Sequence, residues 1–161
     1  MNYFELFDIP VAFTVNKAEL TRTYVKLQKQ YHPDFFGQES DEAQEKAMEM
    51  SSLINQAWKT FQTEDATVKY VLQLHGMLEE EEKFALPPAF LMEVMELNEM
   101  RMDGADAASI KQRVDDLQAE IKTPVSGILT STDTASLSEN ALQQVKTWYY
   151  QKKYLDRLLA E

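Results

Sequence analysis

Two apolar stripes at helical spacing flank a short segment that contains a histidine and a proline, and this arrangement limits the first half of the chain to a helical hairpin. The first stripe has intervals of four, three and four residues, as one face of an α-helix requires, and consists of Leu20, Tyr24, Leu27 and Tyr31. The second consists of Met50, Ile54, Ala57, Trp58 and Phe61. We therefore predict antiparallel helices over 17–31 and 41–61.

The ends of the first helix carry recognisable signals. Asn16, with a glutamate three residues later, is typical of a capping box at a helix start. Pro33 lacks an N–H group and its ring clashes with the preceding turn, so the helix should end at about Tyr31. Of the two aromatic residues that follow in the loop, Phe35 and Phe36, at least one should anchor the loop on the hairpin.

The remaining apolar patterns also have the helical period, and no alternating pattern predicts a strand. Helices are predicted near 3–7, 66–74, 88–102, 106–129 and 137–159. Pro124 should kink or split the fourth of these, and Ser136 with Glu139 predicts a capping box for the last. The predicted fold class is all-α, a helical hairpin with short flanking helices followed by a three-helix bundle.

A run of four glutamates, followed closely by two prolines, predicts a domain boundary. Neighbouring glutamates repel one another and should stay solvated, and Pro87-Pro88 resets the backbone before the next helix. The predicted organisation is a first domain over 1–75, an acidic linker over 76–83 and a second domain over 84–161.

Composition narrows the classes of function. The net charge of −11 disfavours nucleic-acid binding, and the absence of cysteine removes thiol nucleophiles and thiolate metal ligands. No signal-peptide pattern and no apolar run of about 20 residues is present, so we expect a cytoplasmic protein that binds no membrane. Against this acidic background the predicted helix 17–31 carries four basic residues and one acid. The basic face of this helix is either simply solvated or a docking surface for an acidic partner.

His32 and Asp34 are the candidates for chemistry, because such a pair serves acid–base catalysis when the aspartate orients the ring. With Pro33 fixed between them, the two side chains are poorly placed to do so. No nucleophile elbow, glycine-rich phosphate loop or HExxH pattern accompanies them, and His75 is the only other histidine. Neither catalysis nor metal binding is therefore expected. The segment is then a plain helix stop and turn, or a feature that a partner recognises.

The helix over 88–102 has more apolar surface than one packed face needs. One stripe comprises Phe90, Val94 and Leu97; a second, displaced by about 120°, comprises Leu91, Met95 and Met102, with Met92 further round. Either the bundle surrounds this helix and both stripes are core, or the second is an exposed, methionine-rich binding patch. In the last helix Tyr150 and Tyr154 point away from the apolar face. An exposed aromatic pair is typical of a binding surface, and isolated surface tyrosines are also ordinary.

The order of these motifs over residues 1–75 resembles the J-domain of co-chaperones that stimulate DnaK-class ATPases. The segments that carry the resemblance are YFELFDIP, LQKQYHPD and INQAWKTF. The resemblance implies chaperone contacts at the tripeptide His32, Pro33 and Asp34 and at the basic residues Arg22, Lys26 and Lys29. Val25 and Gln30 stand where basic residues are frequent in J-domains, so the basic surface is sparser here.

The acidic linker and the helical domain that opens with FLMEVMEL extend the resemblance over nearly the whole chain, to the HscB family of iron–sulfur cluster assembly co-chaperones. It implies that the second domain binds a scaffold protein of the IscU type and delivers it to an HscA-type, DnaK-class ATPase. The implied scaffold contacts are Leu91, Met92, Met95, Glu96, Glu99 and Tyr154. Eukaryotic relatives can carry a Cys-x-x-Cys metal segment that is missing here, so we expect a bacterial-type protein without metal or cofactor.

The expected function is therefore that of an adaptor, which activates the ATPase of a partner and is not itself an enzyme. The alternative is a general J-protein that holds unfolded polypeptides on its methionine-rich patch. A third interpretation is a structural helical module in which the His-Pro-Asp tripeptide is incidental.

Overall fold

The computed structural model describes residues 1–160, over which it contains helices and turns and no β-strand. The α-helices of this part of the chain are α1 (Tyr3–Leu6), α2 (Lys17–Tyr31), α3 (Asp41–Phe61), α4 (Glu64–Leu74), α5 (Pro88–Met102), α6 (Ala107–Lys122), α7 (Ser126–Leu129) and α8 (Glu139–Ala160). The predicted all-α fold class is confirmed. None of these helices combines the length and the apolar character that crossing a membrane requires.

Helix α2 begins and ends where its sequence signals predict. The Asn16 side chain accepts a hydrogen bond from the Glu19 N–H at 2.9 Å, which satisfies one of the free amides of the first turn. At the other end His32 leaves the helix with extended dihedrals (φ −60°, ψ 130°), as a residue before proline must. The predicted bounds of α2 and α3 are both confirmed.

Polar and aromatic contacts fix α2 antiparallel to α3. Near the start of α2, Lys17 Nζ donates to the carbonyl of Gln62, just beyond the end of α3, at 3.0 Å. Two turns further along α2, the Tyr24 ring stacks on Trp58 with ring centroids 4.3 Å apart. The Tyr24 hydroxyl also donates to Asn55 Oδ1 at 2.9 Å. The contacts move back along α3 as they move forward along α2, so the tip of the hairpin is the segment that contains His32.

Aromatic side chains attach α1 and α4 to this hairpin. Phe4 and Phe7 are buried edge-on against Phe61, with ring centroids 5.0 and 5.4 Å away. Tyr3 stacks on Tyr70 at 4.4 Å, and its backbone N–H donates to the Tyr70 hydroxyl at 2.9 Å. Burial raises the pKa of Tyr70 above its ordinary value. These contacts close the core beneath the hairpin.

The chain divides into two compact units. The first comprises residues 1–71 together with 131–136, and the second comprises 72–130 and the chain from 137 onward. Within the first unit Thr134 is buried, and its N–H donates to the carbonyl of Val11 at 2.8 Å. The domain bounds 1–75, 76–83 and 84–161 stay a prediction.

Helices α5, α6 and α8 form the bundle of the second unit, with α6 packed against both of the others. Its buried side chains form two groups, Phe90, Val94, Leu117 and Leu155 in one and Leu97, Ile110 and Val114 in the other. Pro124 lies in a 3₁₀ turn over Thr123–Val125 that separates α6 from α7. Of the two predicted effects of this proline, a kink or a split, the structure shows the split.

One glutamate of the acidic run is not solvated, contrary to the prediction. The Glu82 carboxylate lies 2.6 Å from Lys146 Nζ on α8, and the two side chains are only 23% and 13% exposed. The hydroxyl of Tyr150 donates to Glu82 Oε1 at 3.3 Å, and its ring stacks on Phe84 at 4.6 Å. A cation and a hydroxyl one turn apart on α8 therefore stabilise the Glu82 carboxylate.

These contacts shift two pKa values in opposite directions. The hydrogen bond from Lys146 lowers the pKa of Glu82. Burial, and then the negative charge of Glu82, raises the pKa of Tyr150 to about 12. Tyr150 is therefore held neutral against Phe84, and it is not the exposed aromatic residue that the sequence suggested.

The predicted capping box of α8 is also wrong in position. Ser138 caps the helix, because its Oγ accepts from the Ala141 N–H at 3.1 Å. Ser136 instead lies in a 3₁₀ turn and donates to the carbonyl of Asp133 at 3.0 Å. The sequence offered two serines as caps, Ser136 three residues before Glu139 and Ser138 directly before it. The helix begins after Ser138, so the nearer serine is the cap.

The two serines give a matched test of this correction. Because Ser138 satisfies a first-turn amide, Ser138→Ala should lower the free energy of unfolding by about 1 kcal/mol. Ser136→Ala removes only an exposed turn contact and should change it by less than about 0.5 kcal/mol. Chemical denaturation followed by circular dichroism measures both, and a larger loss from Ser136→Ala would restore the original prediction.

The contact between Glu82 and Lys146 should make stability depend on pH. Lys146→Met keeps the apolar stem but leaves the largely covered Glu82 carboxylate without a cation, so it should cost about 2 kcal/mol at neutral pH. Because the pKa of Glu82 is lowered in the folded state, this contribution is present above the ordinary carboxyl value of 4.5 and is lost as the pH falls below it. The difference from wild type should therefore shrink below about pH 4.

Lys111→Met is the control for this experiment. Lys111 forms an exposed pair with Asp115 at 3.1 Å on α6, and an exposed pair of this kind contributes less than about 0.5 kcal/mol. Denaturation curves at several pH values compare the two variants. Equal losses from both, or a loss from Lys146→Met that persists in acid, would contradict the role given to Glu82.

Candidate functional site

The His32-Pro33-Asp34 tripeptide forms the tip of the hairpin and is fixed from both sides. The N–H of His32 donates to the Gln28 carbonyl at 2.9 Å and so closes the last turn of α2. The ring Nδ1 of His32 accepts from the Asp34 N–H at 3.2 Å, which caps the 3₁₀ turn over Pro33–Phe36. The histidine therefore ends one helix and starts the next turn, and the proline between them fixes the backbone.

This geometry does not provide a catalytic pair. His32 Nδ1 is 3.6 Å from Asp34 Oδ2, which is too long for a hydrogen bond. A ring nitrogen that accepts a hydrogen bond from a backbone amide carries no proton to share with the carboxylate. Among residues 1–160, no three His, Asp or Glu side chains cluster closely enough to hold a metal ion. What the tip offers is a rigid, exposed shape.

The two phenylalanines after the tripeptide have different environments. The turn that contains them packs against α3, and Phe36 is half-buried in it. Phe35 points outward and is 66% exposed, and its ring lies edge-on to the His32 ring with centroids 6.1 Å apart. One phenylalanine is thus covered, as expected. The sequence did not indicate that the other would remain at the surface beside His32.

The basic residues predicted on α2 share one solvent-exposed face. At about 100° per residue, Arg22, Lys26 and Lys29 fall within an arc of about 60°, nearly opposite the side that packs on α3. All three are exposed. Within the part of the chain that the structure describes, no ion pair with an acid engages them. Their charge is therefore available for an acidic partner.

Helix α5 exposes the stripe that the sequence left undecided. Phe90, Val94 and Leu97 are buried in the bundle, whereas Leu91, Met92, Met95 and Met102 are exposed. Glu96 and Glu99 are also exposed and lie on the same outward side of the helix. The structure agrees with the exposed patch and not with a fully buried helix. Met102 extends the patch by two turns beyond Met95.

Tyr154 on α8 does not lie free at the surface. It is half-buried, packs on the group that contains Phe90 and Leu155, and meets the Phe90 ring edge-on at 6.2 Å. The Arg157 guanidinium lies 5.9 Å from its ring centre. The predicted exposed aromatic pair is therefore wrong for both of its members. Part of the Tyr154 ring is still exposed to solvent, and it lies beside Phe90, the residue before Leu91.

Comparisons with known proteins place these features in a family. Residues 86–161 match the model described as the HSCB C-terminal oligomerisation domain. The chain is 33% identical over 162 positions to the Co-chaperone protein HscB homolog of Psychromonas ingrahamii, and the alignment covers 100% of this chain and 94% of that relative.

Two solved structures extend the similarity to three dimensions. The human co-chaperone protein HscB matches with a TM-score of 0.75 and 28% identity, over 99% of this chain and 79% of that one. The chaperone HscB from Vibrio cholerae matches with a TM-score of 0.61 and 27% identity, over 99% and 98% of the two chains. The chain belongs to the HscB family of co-chaperones.

Proposed function

We propose that this protein is an adaptor of iron–sulfur cluster assembly in the bacterial cytoplasm. Its first domain docks on an HscA-type, DnaK-class ATPase and stimulates ATP hydrolysis, and its second domain carries an IscU-type scaffold protein to that ATPase. The hydrolytic groups belong to the ATPase. This protein contributes two docking surfaces and no catalytic residue.

The observation that carries the chaperone half of the proposal is the fixed tripeptide beside a free basic face. His32, Pro33 and Asp34 are held by hydrogen bonds at the end of α2 and the start of the next turn, so little order has to be gained on docking. Asp34 is exposed and free to meet a cationic group of the ATPase. Arg22, Lys26 and Lys29 would speed association with an acidic surface, with an effect that weakens as salt increases.

The exposed face of α5 supports the scaffold half of the proposal. Leu91, Met92 and Met95 present apolar side chains that the bundle does not use, and methionine adapts readily to a partner surface. Glu96 and Glu99 add charge beside this patch, where it would select a scaffold that carries basic residues. Tyr154, already half-covered, would contribute a rigid ring edge at low entropic cost.

Substitution at His32 tests the chaperone half. His32→Gln removes the ring that caps the Asp34 amide and meets Phe35, so stimulation of a purified HscA-type ATPase should fall by at least about tenfold. His75→Gln makes the same change at the other histidine, outside the hairpin tip, and should leave stimulation intact. Steady-state ATPase assays compare the two, and equal stimulation by both variants would refute the assignment.

Matched double substitutions test the scaffold half. Leu91→Ala with Met95→Ala should weaken binding of an IscU-type scaffold by at least about tenfold, because it removes two apolar anchors from one patch. Leu74→Ala with Met48→Ala is the control. Leu91 and Leu74 are 38% and 40% exposed, and Met95 and Met48 are both 62% exposed.

Isothermal titration calorimetry measures the binding, and circular dichroism checks that helicity is unchanged. Equal weakening by the control pair would show that loss of exposed apolar area, and not this patch, determines affinity. Loss of helicity in the Leu91 and Met95 double variant would show that the stripe belongs to the core. Suppressed aggregation of unrelated denatured proteins, without scaffold binding, would instead favour a general holdase.

A further inference from the structure

Phe35 is an exposed apolar side chain that directly follows the hydrogen-bonded His-Pro-Asp tripeptide. It is 66% exposed in an acidic protein whose other large aromatic side chains are at least partly covered among the described residues. Burying a phenylalanine is among the larger favourable contributions that one side chain makes. The turn nevertheless covers its neighbour Phe36 and leaves Phe35 in water, so folding makes little use of this ring.

Phe35 is continuous with the tripeptide. Its ring lies edge-on to the ring of His32 at 6.1 Å, so a partner that covers His32 also meets Phe35. Val25 extends the same strip in the other direction. Val25 lies seven residues before His32, which places it two turns closer to the start of α2 and about 20° away around the helix axis. Its side chain is 45% exposed.

The strip of Val25, His32 and Phe35 runs beside the basic face of α2. Arg22, Lys26 and Lys29 lie next to it and are exposed. A protein surface that fits both features has acidic groups around an apolar recess. Such a mixed surface gives long-range attraction from the charges and short-range specificity from the buried ring.

From this arrangement we infer that Phe35 is an apolar anchor for the ATPase, inserted into a recess beside the site that receives the His-Pro-Asp tripeptide. The inference rests on the proposed chaperone docking and adds the feature that determines its specificity. The apolar contacts of Phe35 and Val25 offset the binding free energy that the sparse basic patch of α2 does not supply. The ATPase that this protein activates is therefore one with an apolar recess at that position.

The apolar contact of Phe35 and the charge contacts of the basic residues should affect different rate constants of binding. A ring buried at the interface holds the complex together, so its loss should act mainly on dissociation. The lysines act at a distance and should affect association and its dependence on salt. A residue that merely supported the fold of the tip would alter neither quantity selectively.

The experiment measures ATPase stimulation and binding kinetics with a purified HscA-type ATPase and four variants. Phe35→Ser should raise the concentration for half-maximal stimulation by about tenfold through faster dissociation, with the salt dependence unchanged. Phe35→Leu keeps an apolar side chain without the ring and should remain within about threefold of wild type. Lys26→Gln should slow association and weaken its salt dependence, and Leu74→Ser, at another exposed apolar position, should change nothing.

If Phe35→Ser stimulated the ATPase and dissociated from it as wild type does, the inference would be overturned, and the proposed docking through His32 would still stand. Equal impairment of Phe35→Ser and Phe35→Leu would overturn it differently, because the ring would then be positioning His32 and not binding the partner. If wild type itself gave no stimulation, and His32→Gln did not differ from it, the proposed function would fail and the inference with it.

Discussion

A proline in the interior of an α-helix kinks or breaks the helix, and the arrangement of the proposed chaperone-docking surface depends on that constraint at Pro33. It ends α2 at Tyr31 and sets His32 in an extended conformation. The same residue begins the 3₁₀ turn in which the Asp34 amide is capped by the His32 ring. One backbone restriction thus determines which side chains reach the tip of the hairpin and how firmly they are held.

Local signals explain why much of the fold could be predicted from the sequence. Asn16 and Pro33 bound α2, and Pro88 begins α5 at the first helical position, where its missing N–H costs nothing. The predicted site residues on α2 and α5 lie on exposed faces for the same reason, because helical periodicity decides which side of a helix can be packed. The signals for helix ends and for helix faces are both contained within a few neighbouring residues.

The errors share a different cause, since each depends on the path of the chain in three dimensions, which the local sequence pattern does not determine. The covering of Glu82 requires Lys146 and Tyr150 on α8, and no local pattern in a run of four glutamates distinguishes one from another. Ser138 and Ser136 are both good caps, and only the path of the preceding turn decides between them. The exposure of Phe35 is likewise set by the direction of a 3₁₀ turn packed on α3.

The two proposed docking surfaces share one arrangement and differ in charge. Each is the outward side of a helix whose inward side packs against a neighbouring helix, α3 for α2 and α6 for α5, so binding a partner need not disturb the fold. On α2 the outward side is basic, and on α5 it is apolar with acids beside it. Opposite charge on the two surfaces favours different partners for each, as the proposed adaptor function would require.

We propose that both surfaces must be on the same chain for the scaffold to reach the ATPase, and complementation between two variants distinguishes this from two independent activities. The His32→Gln variant keeps the scaffold patch, and the Leu91→Ala, Met95→Ala variant keeps the chaperone tip. ATPase turnover would be measured at a limiting concentration of scaffold, with wild type or with an equimolar mixture of these two variants. We expect wild type to stimulate turnover synergistically with scaffold and the mixture not to do so, because neither variant chain can join the two partners. Equal synergy from the mixture would contradict it.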